Sequence, residues 1–449
     1  MNRRDRIVVV GAGAAGLRAA ERLRELRFEG EVVMVGNEPH RPYHRPELSK
    51  QFLTGRVHAD QLRLAAYTDV DARWRLNTAV RGVDTGKRAL LLPGGERLAY
   101  DGLVIATGME ARHLPGAPVS DPRVHQLRTL DDATRLREAL AADKEPVVVI
   151  GGGFVGCEVA SSLRAMKRRV TIVTEGPTLM AGALAPELCD SITRLHQSKG
   201  VGVALGVEVQ HWLPQDNGIA VHLSDGQVLV AGHVVIAIGG LPAVSWLRGS
   251  AIRHDEFIGV HCEATCHAVG SADVVAAGDV AGWPNLRFDD VPRRVEHWLN
   301  AVEMGRAAAE NLLLGPSRAV AFTPLPRFWT EQHRMKVQVA GQPQLGGEHG
   351  RLGPGCLASA RRDGLVGIAT VNRSREFNRL VAGLNARRPA PTAMRKRFQE
   401  PVPTGPERIP RAGEAMRPPP KSTPLLSNYL PAGVTLTPTS TSPPASTRT

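Results

Sequence analysis

Residues 7–24 read IVVVGAGAAGLRAAERLR, and residues 147–164 read VVVIGGGFVGCEVASSLR. Each is a run of β-branched residues, then G-x-G-x-x-G, then a segment with helical spacing. Between a strand and a helix, such glycines let backbone N–H groups and a helix N-terminus approach a pyrophosphate. One glycine loop is a weak signal. Two in the same context, about 140 residues apart, form a repeated unit. They predict two dinucleotide cradles, one on Gly11, Gly13 and Gly16 and one on Gly151, Gly153 and Gly156. Two dinucleotides side by side most simply imply electron transfer between them.

Working outward, residues 1–110 alternate strand and helix: strand 7–10, helix 14–26, strand 32–35, then strand 103–106 ending in Ala-Thr-Gly. A second cycle has strand 147–150, helix 156–165, strand 170–173 and strand 234–238 before Gly239-Gly240. Residues 123–143 read as a helix linking the two cycles, 274–280 as a strand ending in Gly-Asp, and 295–314 as a helix. Candidate strands at 337–340 and 365–370 suggest a small α+β unit. The fold class is therefore α/β, with two Rossmann-like dinucleotide-binding domains and a small C-terminal α+β domain. The expected boundaries are 1–112 with 246–318 for the first domain, 113–245 for the second and 319–386 for the third. Residues 387–449 turn rich in Pro, Ser, Thr and Arg, the composition of a disordered tail.

Bulk properties narrow the classes. A chain of 449 residues has room for two or three domains. With 42% hydrophobic and 22% charged residues it reads as an ordinary globular protein. No apolar run approaches a membrane span, and the N-terminus enters a core strand without a signal-like region, so cytoplasm is the expected compartment. Five scattered cysteines imply reduced thiols rather than a disulfide framework. Cys262 and Cys266, beside His261 and His267, would make poor tetrahedral geometry within one short loop, so no metal is expected. The net charge of +12 lacks an aromatic-interleaved basic stripe, which argues against nucleic acid and for an acidic protein partner.

An acidic group about 20 residues past a cradle meets the ribose hydroxyls. Asn37 or Glu38 fills that role for the first cradle, and Glu175 for the second. Asp279, alone, reads as a turn acid. Beside two cradles and Ala106-Thr107-Gly108 it becomes a candidate acceptor for a flavin ribityl hydroxyl.

Residues 41–50, RPYHRPELSK, complete a pattern that resembles the flavoprotein ferredoxin reductases of oxygenase systems. These include the putidaredoxin and rubredoxin reductases and the reductases of aromatic-ring dioxygenases, within the pyridine nucleotide-disulfide oxidoreductase superfamily. The resemblance spans roughly residues 5–380. Its ordered motifs are G-x-G-x-A-G, R-P-x-L-S-K from Arg45, A-T-G, R-T-L-D-D, G-G-G-F-x-G-x-E, A-x-G-D-V, E-H-W and F-W.

It implies FAD in the first cradle with Ala15 in contact, and Lys50 approaching the flavin ring. Arg45, Val80, Arg128, Gly278, Asp279 and Trp298 complete that pocket. NAD(P)H would occupy the second cradle, lined by Phe154, Val155 and Gly239. It further implies a pair between Lys50 and Glu158, the two candidate catalytic residues; that this pair opens when nicotinamide enters is a separate expectation about gating. A cation near the flavin also stabilises its reduced, anionic form. The implied activity is hydride transfer from NAD(P)H to FAD, then single electrons to an acidic ferredoxin of the 2Fe-2S type, by a monomer or homodimer.

Residues 46–53 hold no cysteine and no C-x-x-C occurs, so electrons leave the flavin without a dithiol. Three departures stand out: Thr174 where relatives often carry Glu, with Glu175 next; Asn37 at a position that is sometimes acidic; and the Pro-rich tail. No Arg closely follows Glu175, which favours NADH over NADPH. Arg327, Phe328 and Trp329 are candidates for partner contact, against which stands ordinary core packing. Two rival functions stay open: an NADH oxidase or NADH:acceptor reductase, and a non-catalytic FAD/NAD redox sensor.

Overall fold

The computed structural model describes residues 5–66, 70–362 and 364–385, so the expectation for 387–449 lies outside the described residues. Two five-stranded parallel sheets dominate. The first runs, in spatial order, Val274–Ala276, Gly102–Ile105, Arg6–Val10, Glu31–Val35 and Arg73–Arg75. The second runs Gly202–Leu205, Val170–Thr174, Val147–Ile150, His233–Ile236 and Val124–Gln126. Central strands of both are continuous Val and Ile runs because parallel strands are covered on both faces; Ile7, Val8 and Val9 are fully buried.

The helices Ala14–Glu25 and Phe154–Ala165 follow the two cradle strands directly. The first packs along Trp298–Leu314, so closely that a Cβ on Gly305 would stand 2.3 Å from the Ala15 carbonyl oxygen. Arg306 with Glu25 at 2.7 Å and Arg22 with Glu310 at 2.7 Å tie the same two helices at their edges. A two-stranded ribbon, Met109–Ala111 with Gly240–Pro242, links the ends of the two sheets.

The helix read over 123–143 needs correction. Its first residues are the strand Val124–Gln126, which joins the second sheet beside Val234–Ile236. The helix spans only Leu130–Ala142. Thr129 caps it by accepting from the Asp132 N–H while Asp132 reaches back to the Thr129 N–H.

The third unit is a five-stranded antiparallel sheet, ordered Arg327–Gln332, Met335–Gly341, Gly364–Val371, Cys356–Arg361 and Glu348–Gly353, with the helix Ser374–Asn385. Phe377 and Val381 of that helix are buried with Ala340 and Ile368 of the sheet.

Candidate functional site

The two cradles are near copies. Gly11 and Gly151 have φ of 117° and 113°, and a Cβ on either would fall 2.1 Å and 2.3 Å from the carbonyl oxygens of Ala106 and Ala237. Only glycine fits where strand, loop and neighbouring strand meet so closely. A Cβ on Gly16 or Gly156 would lie 2.0 Å from the oxygen of Gly11 or Gly151, so the third glycine lets the helix seat on the loop. At Gly13 and Gly153 an added Cβ meets nothing within 4 Å. These two glycines are the helix N-caps, and no side chain caps either end. Free N–H groups facing open space suit a pyrophosphate.

Around the first cradle, Gly278 turns at φ 79° with Ala15 Cβ 3.1 Å from its would-be Cβ, which brings Asp279 beside the loop. Arg128 Nη2 lies 3.6 Å from Asp279 Oδ2. Desolvation, then the charge of Arg45, pulls the Arg128 guanidinium below its usual range, the state of a cation short of anions. Arg45 donates to the Arg128 carbonyl at 2.6 Å and pairs with Glu38 at 2.7 Å. Tyr43 Oη donates to the other Glu38 oxygen at 2.6 Å. Asn37 is exposed and Val80 is half-buried against the core. Thr107 is locked by a 2.8 Å bond to the Ala243 carbonyl, which joins the Ala106-Thr107-Gly108 turn to the segment after Gly239.

Aromatic rings collect between the cradles. Phe328 packs edge-on to Phe154 at 5.2 Å and against His297 at 4.4 Å, and Trp298 meets His44 edge-on at 4.9 Å. Trp298 Nε1 and His297 Nδ1 are buried without a hydrogen-bond partner among the described residues. Unpartnered buried polar atoms in an aromatic recess fit a planar group rich in acceptors and donors. Phe328 packs, partly buried, against the second core, Trp329 meets Trp298 edge-on at 6.4 Å, and Arg327 is paired with Glu303 at 2.8 Å.

Lys50 and Glu158 come together. Lys50 Nζ stands 2.6 Å from Glu158 Oε2 and 2.8 Å from the Pro46 carbonyl. The lysine follows the short 3-10 turn Arg45–Glu47, and the glutamate sits in the first turns of Phe154–Ala165, just past Gly156. Two partners escaped sequence reasoning: Ser49 Oγ donates to Glu158 Oε2 at 2.6 Å, and Thr330 Oγ1 donates to Oε1 at 2.7 Å. Ser49 adjoins Lys50 and was within reach of the motif. Thr330 comes from the distant third sheet and carries no local signal.

On the second cradle, Gly153, Val155, Gly239 and Glu175 are exposed, Phe154 is half-buried and Gly239 turns at φ 85°. All five cysteines are buried and unpaired, and burial pushes the thiols of Cys157, Cys262 and Cys266 up, away from thiolate chemistry. Among the described residues no group of three or more His, Cys, Asp or Glu side chains converges as a metal site, and no helix is long and apolar enough to cross a membrane.

Comparison with known proteins bears on this geometry. The pyridine nucleotide-disulphide oxidoreductase family matches residues 5–305. The ferredoxin–NAD(+) reductase component of the p-cumate 2,3-dioxygenase system of Pseudomonas putida is 34% identical over 381 residues, 83% of this chain and 91% of that protein. The corresponding component of the 3-phenylpropionate/cinnamic acid dioxygenase of Photorhabdus laumondii is 30% identical over 385 residues, 84% of this chain and 95% of that protein. A chain in the crystal structure of the covalent putidaredoxin reductase–putidaredoxin complex superposes with a TM-score of 0.81 at 28% identity, covering 88% of this chain and 96% of that one. With paired cradles, a family match over residues 5–305 and a relative 34% identical over 83% of the chain, the chain belongs to the pyridine nucleotide-disulphide oxidoreductase family.

Proposed function

We propose that this protein is an NAD(P)H:ferredoxin oxidoreductase that holds FAD on the first cradle and NADH, or NADPH, on the second. It would deliver single electrons to an acidic 2Fe-2S ferredoxin of a P450 or Rieske oxygenase system, in the cytoplasm, as a monomer or homodimer. The carrying observation is the buried Lys50–Glu158 pair, 2.6 Å apart, which joins the segment after Arg45 to the helix of the second open cradle. The relatives' names, ferredoxin–NAD(+) reductase components, support the same acceptor.

In this reading residues 1–112 and 246–318 bind FAD, 113–245 bind the nicotinamide nucleotide and 319–386 form the interface domain. A bound flavin accepts a hydride from nicotinamide and releases the two electrons one at a time. The chain supplies position and charge. The N–H groups at Gly13 and Gly153 receive the pyrophosphates, and Arg128 and Asp279 hold the ribityl and phosphate region. Trp298 and His297 offer their unpartnered nitrogens to the ring edge. Lys50 brings a cation to the site where negative charge accumulates, and Glu158 holds that cation until the pair opens as nicotinamide enters. The excess of positive charge steers an acidic partner toward the surface.

The test is anaerobic stopped-flow of purified protein supplied with FAD, with NADH or NADPH as reductant and a panel of ferredoxins coupled to cytochrome c. Flavin bleaching by NADH and ferredoxin-dependent cytochrome reduction are expected. Failure to take up FAD would sink the proposal. In a parallel aerobic assay, fast NADH consumption with no ferredoxin effect would replace it with an oxidase.

A further inference from the structure

Beyond the Lys50–Glu158 pair, a chain of hydrogen bonds leads from Glu158 out of the site. Thr330 Oγ1 accepts from Gln332 Nε2 at 3.1 Å. Gln332 Oε1 lies 2.9 Å from His196 Nε2, and His196 Nδ1 lies 3.1 Å from His333 Nε2. Glu158, Thr330, Gln332 and His196 are all at most 5% exposed. Donor direction follows from one end. The Glu158 carboxylate offers only lone pairs, so Thr330 donates to it and accepts from the Gln332 amide N–H. The Gln332 carbonyl then needs the proton of His196 Nε2. That leaves His196 Nδ1 bare to accept from His333 Nε2–H. Burial keeps both imidazoles uncharged at neutral pH; His333 is pushed down to about 4 by burial, then by His196, Lys199 and Arg164. Every donor in the series therefore points toward Glu158.

The outer end is fixed as well. His333 and Arg334 form a two-residue hairpin turn at φ 50° and 67°, conformations that glycine or asparagine usually supply. The turn is tied to the second domain's helices: the His333 N–H donates to Ser161 Oγ at 2.7 Å, and its ring meets His196.

We infer that Thr330, aimed by Gln332 and His196, is a positioning residue that keeps Glu158 satisfied while Lys50 departs, so that the pair opens without stranding a buried carboxylate. This rests on the reductase reading, in which entry of the nicotinamide requires Lys50 to move. Removing the cation from a buried pair is costly when nothing else serves the anion. Ser49 Oγ donates to Oε2, the oxygen that Lys50 also holds, whereas Thr330 donates to Oε1 from another unit.

The experiment compares the full-length, FAD-bound chain with Thr330→Val, Thr330→Ser and Gln332→Met. One readout is the stopped-flow rate of flavin bleaching over a range of NADH. The other is labelling of Lys50 by pulsed acetic anhydride, read by peptide mass spectrometry. The Thr330 bond is made both before and after Lys50 departs, so only its strengthening toward the unpaired carboxylate bears on opening, an effect of roughly threefold or more. Thr330→Val is therefore expected to lower the limiting bleaching rate about threefold or more at unchanged half-saturation and to slow Lys50 labelling by a similar factor. Thr330→Ser restores both, and Gln332→Met gives a smaller effect of the same sign. An unaltered limiting rate, or Lys50 labelled as fast or faster in Thr330→Val, overturns the inference. If Thr330→Val does not fold, Gln332→Met alone decides by the same criteria. If no variant bleaches with NADH, the reductase reading fails, and Lys50 labelling still judges the Thr330 role.

Discussion

A double-mutant cycle on Lys50 and Glu158 tests the centre of the site. The pair is 2.6 Å apart, with side chains 15% and 6% exposed, so solvent screens it little. At an effective dielectric of ~20 the direct attraction at this separation is about 6 kcal/mol, most of it offset by desolvation of the two charges. Truncating one partner of a buried pair commonly costs about 3–5 kcal/mol because the other charge is left alone. Here Ser49 and Thr330 go on donating to Glu158, so the lower end applies. Lys50→Met, Glu158→Gln and the double variant should therefore give a coupling of about 2–3 kcal/mol in urea unfolding of the FAD-bound protein. The double variant should be more stable than the sum of the two single losses predicts. A coupling below about 0.5 kcal/mol, the range of a solvated surface pair, would refute the buried-pair reasoning.

Further predictions follow from the cradles and from acid titration. Gly11→Ala places a Cβ on the Ala106 carbonyl and should yield colourless protein. Gly156→Ala should leave the yellow spectrum and dithionite reduction intact while abolishing bleaching by NADH; absorbance spectra read both. Glu25 is held down to about 2, chiefly by its hydrogen bond to Arg306, with Arg22 adding to it. Its folded value lies below its unfolded one, so this support is present above about pH 4.5 and is lost as pH falls toward 2. Arg306→Met should flatten that acid loss in urea midpoints measured between pH 6 and pH 3. Glu175 stands exposed at the mouth of the second cradle and should make NADH the faster reductant. A reversed preference in stopped-flow would remove Glu175 from that role.

How far the sequence carries is clear from particular elements. The paired glycine loops, the apolar strands before them and the helices after them are local signals, because strand, turn and helix N-terminus lie within one short stretch. Glu158 belongs to such a stretch, and Lys50 was nameable because residues 45–50 carry the R-P-x-L-S-K motif of the resemblance. The strand Val124–Gln126 was hidden: it is three residues long, mixes apolar and polar side chains, and exists only because His233–Ile236, more than a hundred positions on, offers an edge. The capping box at Thr129 and Asp132 was a legible stop against reading one helix across 123–143. The Thr330 contact was not legible, since no periodicity joins a strand of the third unit to a helix of the second. The same holds for the turn at His333 and Arg334, where residues of ordinary strand propensity adopt left-handed backbone.

The clasp between the helices Ala14–Glu25 and Trp298–Leu314 carries a mechanical consequence. One helix begins at the first phosphate loop, and the other begins at Trp298 among the rings. With Gly305 seated on Ala15 and one continuous run of ion pairs, Glu310–Arg22–Glu25–Arg306, joining them, the two helices form a single beam. On the proposed reading, a long prosthetic group gripped at its diphosphate would thereby be gripped at its head by the same piece of scaffold. A nicotinamide nucleotide on the separate second sheet would come and go against that fixed anvil.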